Sequence, residues 1–384
     1  MSTKFLHVIY PYTIDAYSVI KMLHDNFPQE EHTFLIMATK RWVIENKPRL
    51  LAFINLQYIA ETNKYPLSKL RRFTETICYM QEAEHIVLHS CYGITGKLLL
   101  PAFYFKKFAR KTIWIEYWLD LSVGRSPAKK LIDKVNNGFM RKILRDIRFV
   151  GMPLPTDEDA YRTCTDGNAQ CFFTPIPVRS DYQRDAHLAG LQRSCPNKTT
   201  VVLAGDGNLP LNKHREIFEA MQHFACCNIA VIAFLDFVMY GENGMTASAQ
   251  YKRFVHKHGK INLGSKYVTI SFKNVKISKY FEMLSKIDIM VFKGERPANL
   301  QLVFLLLYMG KKVFLPGDSG LFKYLTQQGI AVYDANAIID MNCEEFTQRI
   351  EPRETFEGLQ DMLDDKAAAV HWNKLFKAIE HQRT

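Results

Sequence analysis

The chain has no Cys-x-x-Cys pair, no glycine at the third position of its glycine-rich loop, no apolar run long enough to span a bilayer, no internal repeat and no low-complexity tract. Each absence removes a class of protein. The eight cysteines (Cys78, Cys91, Cys164, Cys171, Cys195, Cys226, Cys227 and Cys343) show no spacing, among themselves or with histidine, of the kind that holds structural zinc. Reduced thiols and no metal are therefore expected. The run from Leu300 to Met309 is interrupted by Gln301 and is too short for a transmembrane helix, so any membrane contact is peripheral. The opening MSTKFLHVIYPYTID carries no basic-then-apolar leader, and a chain that is not exported is expected.

A length of 384 residues exceeds one ordinary core and suits two domains. The composition, 47% hydrophobic and 23% charged, is too apolar for disorder. The net charge of +11 favours an anionic partner: nucleic acid, an acidic membrane surface or a phosphorylated substrate.

Short apolar runs alternate with amphipathic ones. In the first half, strands are expected at Phe5–Tyr10, Thr33–Met37, Ile86–His89, Thr112–Ile115, Phe149–Met152 and Cys171–Thr174, with helices between them such as Pro66–Ala83, Gly96–Phe108 and Ala128–Arg145. Continuous apolar strands alternating with helices read as a parallel sheet covered on both faces. The polar stretch holding Pro175, Pro177 and Pro196 reads as a linker. The alternation then restarts with strands at Thr200–Ala204, Ala230–Phe234, Tyr267–Ser271, Ile287–Phe292, Lys312–Leu315 and Ile330–Tyr333. The helices between them are expected at Asn212–His223, Thr246–His258, Ser278–Ser285, Ala298–Met309 and Leu321–Gln328. The expected division is a Rossmann-like domain over 1–175, a linker over 176–198, a second Rossmann-like domain over 199–340 and C-terminal helices over 341–384. Ligands of such sheets bind beyond the carboxyl ends of the strands. The cleft between two such domains is the expected site.

Four segments carry chemistry. The loop Gly205-Asp206-Gly207-Asn208-Leu209-Pro210 joins a strand to a helix, where backbone N–H groups approach a phosphate. Pro210 in place of the third glycine disfavours a dinucleotide, leaving a diphosphate loop or an ordinary turn. The segment Lys293-Gly294-Glu295-Arg296-Pro297-Ala298-Asn299 also lies between strand and helix, and an arginine there meets donor phosphates bidentately unless it serves only as a solvated cap. The segment Phe103–Arg148 interleaves aromatics with cations, among them Lys106, Lys107, Arg110 and Lys111. It reads as a face for anionic headgroups or as a solvated helix face, and no nucleic-acid module is recognised in it. Lastly, Glu116 and Asp120 in Trp114-Ile115-Glu116-Tyr117-Trp118-Leu119-Asp120, His89 at a strand end and Asp15 in the first βα loop are candidates for a general base. An aromatic cluster, a structural histidine and a helix N-cap are the respective alternatives.

Several elements together resemble one family. They are His7-Val8-Ile9, His89, Trp118-Leu119-Asp120-Leu121, Tyr240-Gly241, Arg296, Gly310-Lys311-Lys312-Val313-Phe314-Leu315 and Gly329-Ile330-Ala331-Val332-Tyr333. The likeness spans most of the chain and is similar to the 4-acetamido-4,6-dideoxygalactose transferases of glycosyltransferase family 56, which extend the lipid-linked disaccharide of enterobacterial common antigen. Leu119 replaces a glycine of that family, and Pro297, Gln301 and Leu302 also depart from its pattern.

The resemblance implies a GT-B fold of the α/β class, two Rossmann-like domains facing a central cleft. It also implies inversion at the sugar, a dTDP-sugar donor, a polyprenyl-diphosphate acceptor and no cofactor or metal. Eight residues beyond Glu295 stands Val303, so the Glu-x7-Glu pattern of many retaining GT-B enzymes is missing. On this reading Gly205, Asp206, Gly207, Tyr240, Arg296 and Asn299 hold the donor. Asp120, Glu116, His89 and Asp15 are the catalytic candidates. Lys106, Lys107, Arg110 and Lys111 face an anionic membrane, at the cytoplasmic face of the bacterial inner membrane. A nucleotide-sugar epimerase of the same fold, and a basic nucleic-acid- or membrane-binding protein, are the competing classes.

Overall fold

The computed structural model describes residues 3–9, 16–39, 55–61, 66–90, 106–117, 144–165, 167–178, 183, 199–207, 212–235, 249–270, 277–297, 299–348 and 359–382. The first apolar runs form a seven-stranded parallel sheet of β1 (Phe5–Ile9), β2 (His32–Thr39), β3 (Leu56–Glu61), β4 (His85–His89), β5 (Thr112–Ile115), β6 (Phe149–Met152) and β7 (Gln170–Phe173), in the order β3-β2-β1-β4-β5-β6-β7. Helices α1 (Ala16–Asn26), α2 (Pro66–Glu82), α3 (Lys106–Lys111) and α4 (Asp157–Thr165) lie between strands. Strand β3 and helix α4 are not among the elements that periodicity discloses. Among the described residues β3 pairs with β2 alone, and its half-buried Leu56 and exposed Gln57 give it an edge strand's mixed character.

The second set of runs forms a six-stranded parallel sheet of β8 (Thr200–Ala204), β9 (Ile229–Phe234), β10 (Tyr267–Ile270), β11 (Ile289–Val291), β12 (Lys312–Leu315) and β13 (Tyr333–Asp334), in the order β10-β9-β8-β11-β12-β13. Its helices are α5 (His214–Gln222), α6 (Ala249–Leu263), α7 (Ile277–Ser285), α8 (Leu300–Tyr308), α9 (Gly320–Gln327), α10 (Cys343–Thr347) and α11 (Gln360–Leu363). Of the boundaries that differ from the sequence reading, two have clear local reasons. Helix α8 begins after Asn299, whose side chain accepts a hydrogen bond from Leu302 N, so Asn299 is a cap and not an interior residue. The last strand begins at Tyr333 rather than Ile330. Gly329 (φ +71) and Ile330 donate back to Thr326 O and Leu325 O, closing α9 before the chain can extend.

The chain divides into two compact units, Met1–Pro177 with Asp365–Thr384, and Val178–Asp364. The terminal helix α12 (Asp365–His381) thus belongs to the first unit. Its Ala368, Trp372, Leu375, Phe376 and Ile379 join α1 and one face of the sheet in a single core. The fully buried Trp372 donates its indole N–H to Pro175 O at 2.9 Å, and the Lys21 ammonium joins Asp25 to Asp365. Among the described residues, no helix is long and apolar enough to cross a membrane.

The same sheet face carries three buried histidines. His32 Nδ1 lies 2.8 Å from His7 Nε2, His7 Nδ1 lies 3.0 Å from His89 Nε2, and His89 Nδ1 lies 3.2 Å from Tyr117 Oη. The column climbs diagonally from the start of β2, through β1, to the end of β4. A neutral imidazole has one donor and one acceptor, so a row of neutral rings satisfies every nitrogen inside the column if all donate in one direction. Burial drives the rings neutral: His89 is pushed down to about 3, His32 to about 4 with help from the Lys4 ammonium, and His7 well below its ordinary value, where protonation of either neighbouring ring would oppose its own.

The expected cysteine chemistry is corrected here. Cys227 and Cys343 form a disulfide across a sequence separation of 116 residues, a proximity that no local spacing reveals.

Two outcomes are expected. Trp372→Ala removes a buried aromatic and a hydrogen bond, and should destabilise the first unit by about 3–5 kcal/mol in urea unfolding. All four tryptophans (Trp42, Trp114, Trp118 and Trp372) lie in that unit, so their fluorescence reports it. For the histidine column, the unfolded chain takes up protons near pH 6.5, while the folded rings stay neutral down to about 4 and below. The unfolded state therefore binds more protons across that window. Stability should be full above about pH 6.5 and fall steadily toward pH 4. A flat urea midpoint between pH 7 and 5 would contradict neutral burial of the column.

Candidate functional site

In each sheet the strand order reverses beside the first strand of its unit: β1 lies between β2 and β4, and β8 between β9 and β11. Successive crossovers leave such a strand toward opposite faces of the sheet. The loops at its carboxyl end therefore part and open a crevice. The described candidate residues of the second unit lie in the loops at that point.

Strand β8 runs into Gly205, which adopts φ +73 and donates its N–H to Val291 O of β11 at 2.9 Å. A Cβ at Gly205 would meet Asn212 Oδ1 at 2.6 Å and His214 Nε2 at 3.0 Å, so the left-handed turn and the close approach both require glycine. Asn212 fastens the loop: its Oδ1 accepts from Asp206 N at 2.8 Å and its Nδ2 donates to Gly207 O at 3.1 Å. The buried Asp206 carboxylate accepts from the backbone N–H of Asn299 at 2.6 Å. One hydrogen bond thus ties the loop after β8 to the cap of α8. Arg296, buried at 5% exposure, and buried Asn299 both lie in the connection from β11 to α8. Gly205, Asp206, Gly207 and Asn299, read from two stretches of sequence more than ninety residues apart, are therefore one constellation. Burial pushes the neighbouring His214 down to about 4, against the opposing pull of the Ala204 carbonyl, and its Nδ1 lies 2.9 Å from Tyr251 Oη.

This geometry gives Asp206 a definite task. An anion at a helix N-terminus is favourable, and Asp206 itself occupies one of the amide groups at the start of α8. A second anion close by would be repelled. Asp206 is thus suited to locking the two loops together, while Arg296 and the remaining backbone N–H groups are the ones suited to a phosphate. Tyr240 lies outside the described residues, as do Asn208–Pro210.

In the first unit, His89 ends β4, and Ser90 follows with φ +70 while donating its N–H to Ile115 O at 3.0 Å. A left-handed serine at a strand end is the kind of locally strained backbone that clusters at functional sites. Glu116, fully buried, and Tyr117 follow β5 directly, and Glu116 N donates to Gly151 O at 2.8 Å. Both nitrogens of His89 are engaged, by His7 and Tyr117, and its ring stacks on Trp372 with centroids 6.0 Å apart. Both of its nitrogens are thus committed within the protein, one of them to Tyr117. Asp15 and Asp120 lie outside the described residues.

Of the basic group, Lys107 and Arg110 are exposed on α3. Lys111 is turned to another use. Its ammonium donates to the carbonyls of Met80, Gln81 and Ala83 at the end of α2, where a cation complements the helix dipole. Nothing is described of the Lys106 side chain or of residues 118–143.

Sequence reasoning missed Asn212, Ser90 and Tyr117. Asn212 reads as an ordinary first residue of a helix. Only the Gly205 turn, which brings position 205 against position 212, gives its side chain two backbone partners.

No protein-family model matches the chain, and no curated protein matches it. Solved structures do match along their full length. HepE from Anabaena in complex with UDP and glucose is 12% identical with a TM-score of 0.66, the match covering 98% of this chain and 100% of that one. Sucrose-phosphate synthase from Thermosynechococcus elongatus is 12% identical with a TM-score of 0.65, over 99% and 100%. A glycosyltransferase from Rickettsia africae is 10% identical with a TM-score of 0.63, over 98% and 99%. Identities this low carry the fold and not the chemistry. The two parallel-sheet α/β units have the GT-B fold of glycosyltransferases.

Proposed function

We propose that the protein is a glycosyltransferase that takes a sugar from a nucleoside-diphosphate donor and delivers it to a lipid-linked acceptor. The observation that carries this reading is the loop constellation of the second unit: the Gly205 turn, the Asp206–Asn299 hydrogen bond and a buried arginine, gathered where the strand order reverses. A buried guanidinium beside a helix start is matched to a group carrying negative charge. Transfer of a glycosyl group leaves charge building on the departing diphosphate. Fixed donors aimed at developing charge provide the largest single catalytic contribution in many enzymes. HepE, one of the structures of like fold, is bound to UDP and glucose, which supports a nucleotide sugar as the donor class.

On this reading Arg296, with the backbone N–H groups at Gly207 and at the start of α8 that the loop's own hydrogen bonds leave over, holds the diphosphate. A carboxylate of the first unit, Glu116, Asp120 or Asp15, removes the proton of the attacking hydroxyl. His89 positions Tyr117 beside it. The finer assignment is a dTDP-activated deoxyamino sugar, a polyprenyl-diphosphate acceptor and peripheral attachment to the inner face of the bacterial inner membrane through Lys107 and Arg110. It rests on the sequence resemblance to family 56 and on the net charge of +11.

Three measurements test this. Thermal unfolding with dTDP, UDP, GDP and NAD should show stabilisation by one nucleoside diphosphate, about 2.7 kcal/mol at a hundredfold excess over Kd, and none by NAD. Silence from every diphosphate, with strongly salt-dependent binding of nucleic acid, would replace the transferase with a basic binding protein. Release of an epimerised sugar from donor alone would replace it with an epimerase. Next, Arg296→Ala should lower kcat/KM by about 10²–10³-fold, the scale of one lost charge-stabilising donor. Arg296→Lys should recover part of it, because lysine keeps the charge and loses the planar fork. Finally, one of Glu116→Gln, Asp120→Asn and Asp15→Asn should reduce transfer by about 10²–10⁴-fold while leaving donor-induced stabilisation intact. Wild-type rates in all three would remove the base from this set.

A further inference from the structure

The second unit holds a cluster of three sulfurs that the transferase reading does not use. Cys226 and Cys227 lie in the turn between α5 and β9, and Cys343 opens α10. Cys226 Sγ is 3.7 Å from Cys343 Sγ and 4.0 Å from Cys227 Sγ, Cys227 and Cys343 are disulfide-bonded, and all three ligand atoms lie within 4.8 Å of one another. Cys226 is exposed, Cys343 partly so and Cys227 buried.

The backbone around them is held without help from sulfur. The Lys266 ammonium donates to Ala225 O at 2.5 Å and Cys227 O at 2.7 Å, fixing the turn. Lys312 Nζ donates to Glu345 O at 2.6 Å, in the middle of α10. Phe346 of α10 stacks on Phe224 of the turn with centroids 4.2 Å apart. Reduction of the disulfide therefore leaves three thiols on two segments that stay pressed together.

We propose that the reduced cluster is a binding site for one thiophilic metal ion, with zinc as its ligand of choice. Zinc bonds thiolate sulfur at about 2.3 Å in a tetrahedron, which sets neighbouring sulfurs about 3.8 Å apart. Two of the three sulfur–sulfur distances already have that value, and the third opens when the disulfide is cleaved. Three thiolates suit soft or borderline ions and exclude calcium and magnesium. The exposed side, at Cys226, leaves the fourth position to water. The chemistry balances in two steps. A dithiol gives up two electrons and two protons to Cys227–Cys343, yielding two thiols and its own disulfide. Zinc then displaces three protons from the three thiols as it binds. The same contact between the turn and α10 is thus closed by a covalent bond when oxidised and by a metal ion when reduced.

The test uses the full chain, reduced with a dithiol, freed of metal by chelator and kept anaerobic. Cadmium is added as the spectroscopic stand-in for zinc, and the ultraviolet sulfur-to-cadmium charge-transfer band is followed. The expected result is one ion per chain, displaced stoichiometrically by zinc, with a band that grows to the intensity of three thiolates. Cys226→Ser keeps the disulfide pair and lies at the surface, so it should fold; it should lose about a third of the band and weaken binding at least tenfold. Replacing Cys78, Cys91, Cys164, Cys171 and Cys195 with serine should leave the band unchanged. No band at equimolar cadmium in the reduced wild type, or a band insensitive to Cys226→Ser, overturns the proposal and leaves the cluster a disulfide with a bystander thiol.

Discussion

The constraint on which the rest of the molecule depends is the burial of two parallel sheets on both faces. A central strand of such a sheet can neither expose a polar side chain nor leave an amide unpaired. Chemistry is therefore driven to the ends of the strands, and most of all to the place where the strand order reverses and the loops part. Both units obey this. The apolar β8 and β11 deliver Gly205–Gly207 and Arg296–Asn299 to one point, and β4 and β5 deliver His89–Ser90 and Glu116–Tyr117 to another.

One exception to apolar burial is the column of His7, His32 and His89, and it is tolerated because imidazole can satisfy itself. Each neutral ring is both donor and acceptor, so a file of them closes its own hydrogen-bond account inside the core. The column belongs to the face covered by α12, whose Trp372 lies against His89 and whose Phe376 lies against His32. The last helix of the chain thereby helps to fix residues at the end of β4.

The alternation of apolar strands with amphipathic helices was legible, because buried parallel strands impose a continuous pattern that survives in a single sequence. The boundaries that failed did so where short-range hydrogen bonds overrode the pattern, as at Asn299, which caps α8, and at Gly329–Ile330, which closes α9. The edge strand β3 was invisible because half of its surroundings are solvent and its residues are correspondingly mixed. In the candidate site the glycine loop and Arg296 could be found, since glycine before a helix and arginine after a strand have direct physical meanings. The locking role of Asp206 could not, because it depends on a partner more than ninety residues away along the chain.

By itself, then, the sequence determined the class of structure: two α/β units, strands in parallel and, in the second unit, a glycine loop and an arginine-bearing loop each following a strand. Hydrophobic periodicity and the turn preference of glycine are local properties and need no knowledge of what lies across the fold. The tertiary structure alone decided what meets what. It joined Asp206 to Asn299, aligned three histidines from three strands, returned α12 to the first unit and gathered Cys226, Cys227 and Cys343 into one cluster. Those contacts are set by the crossover order of the sheets and the packing of helices upon them, which bring together residues that the sequence keeps far apart.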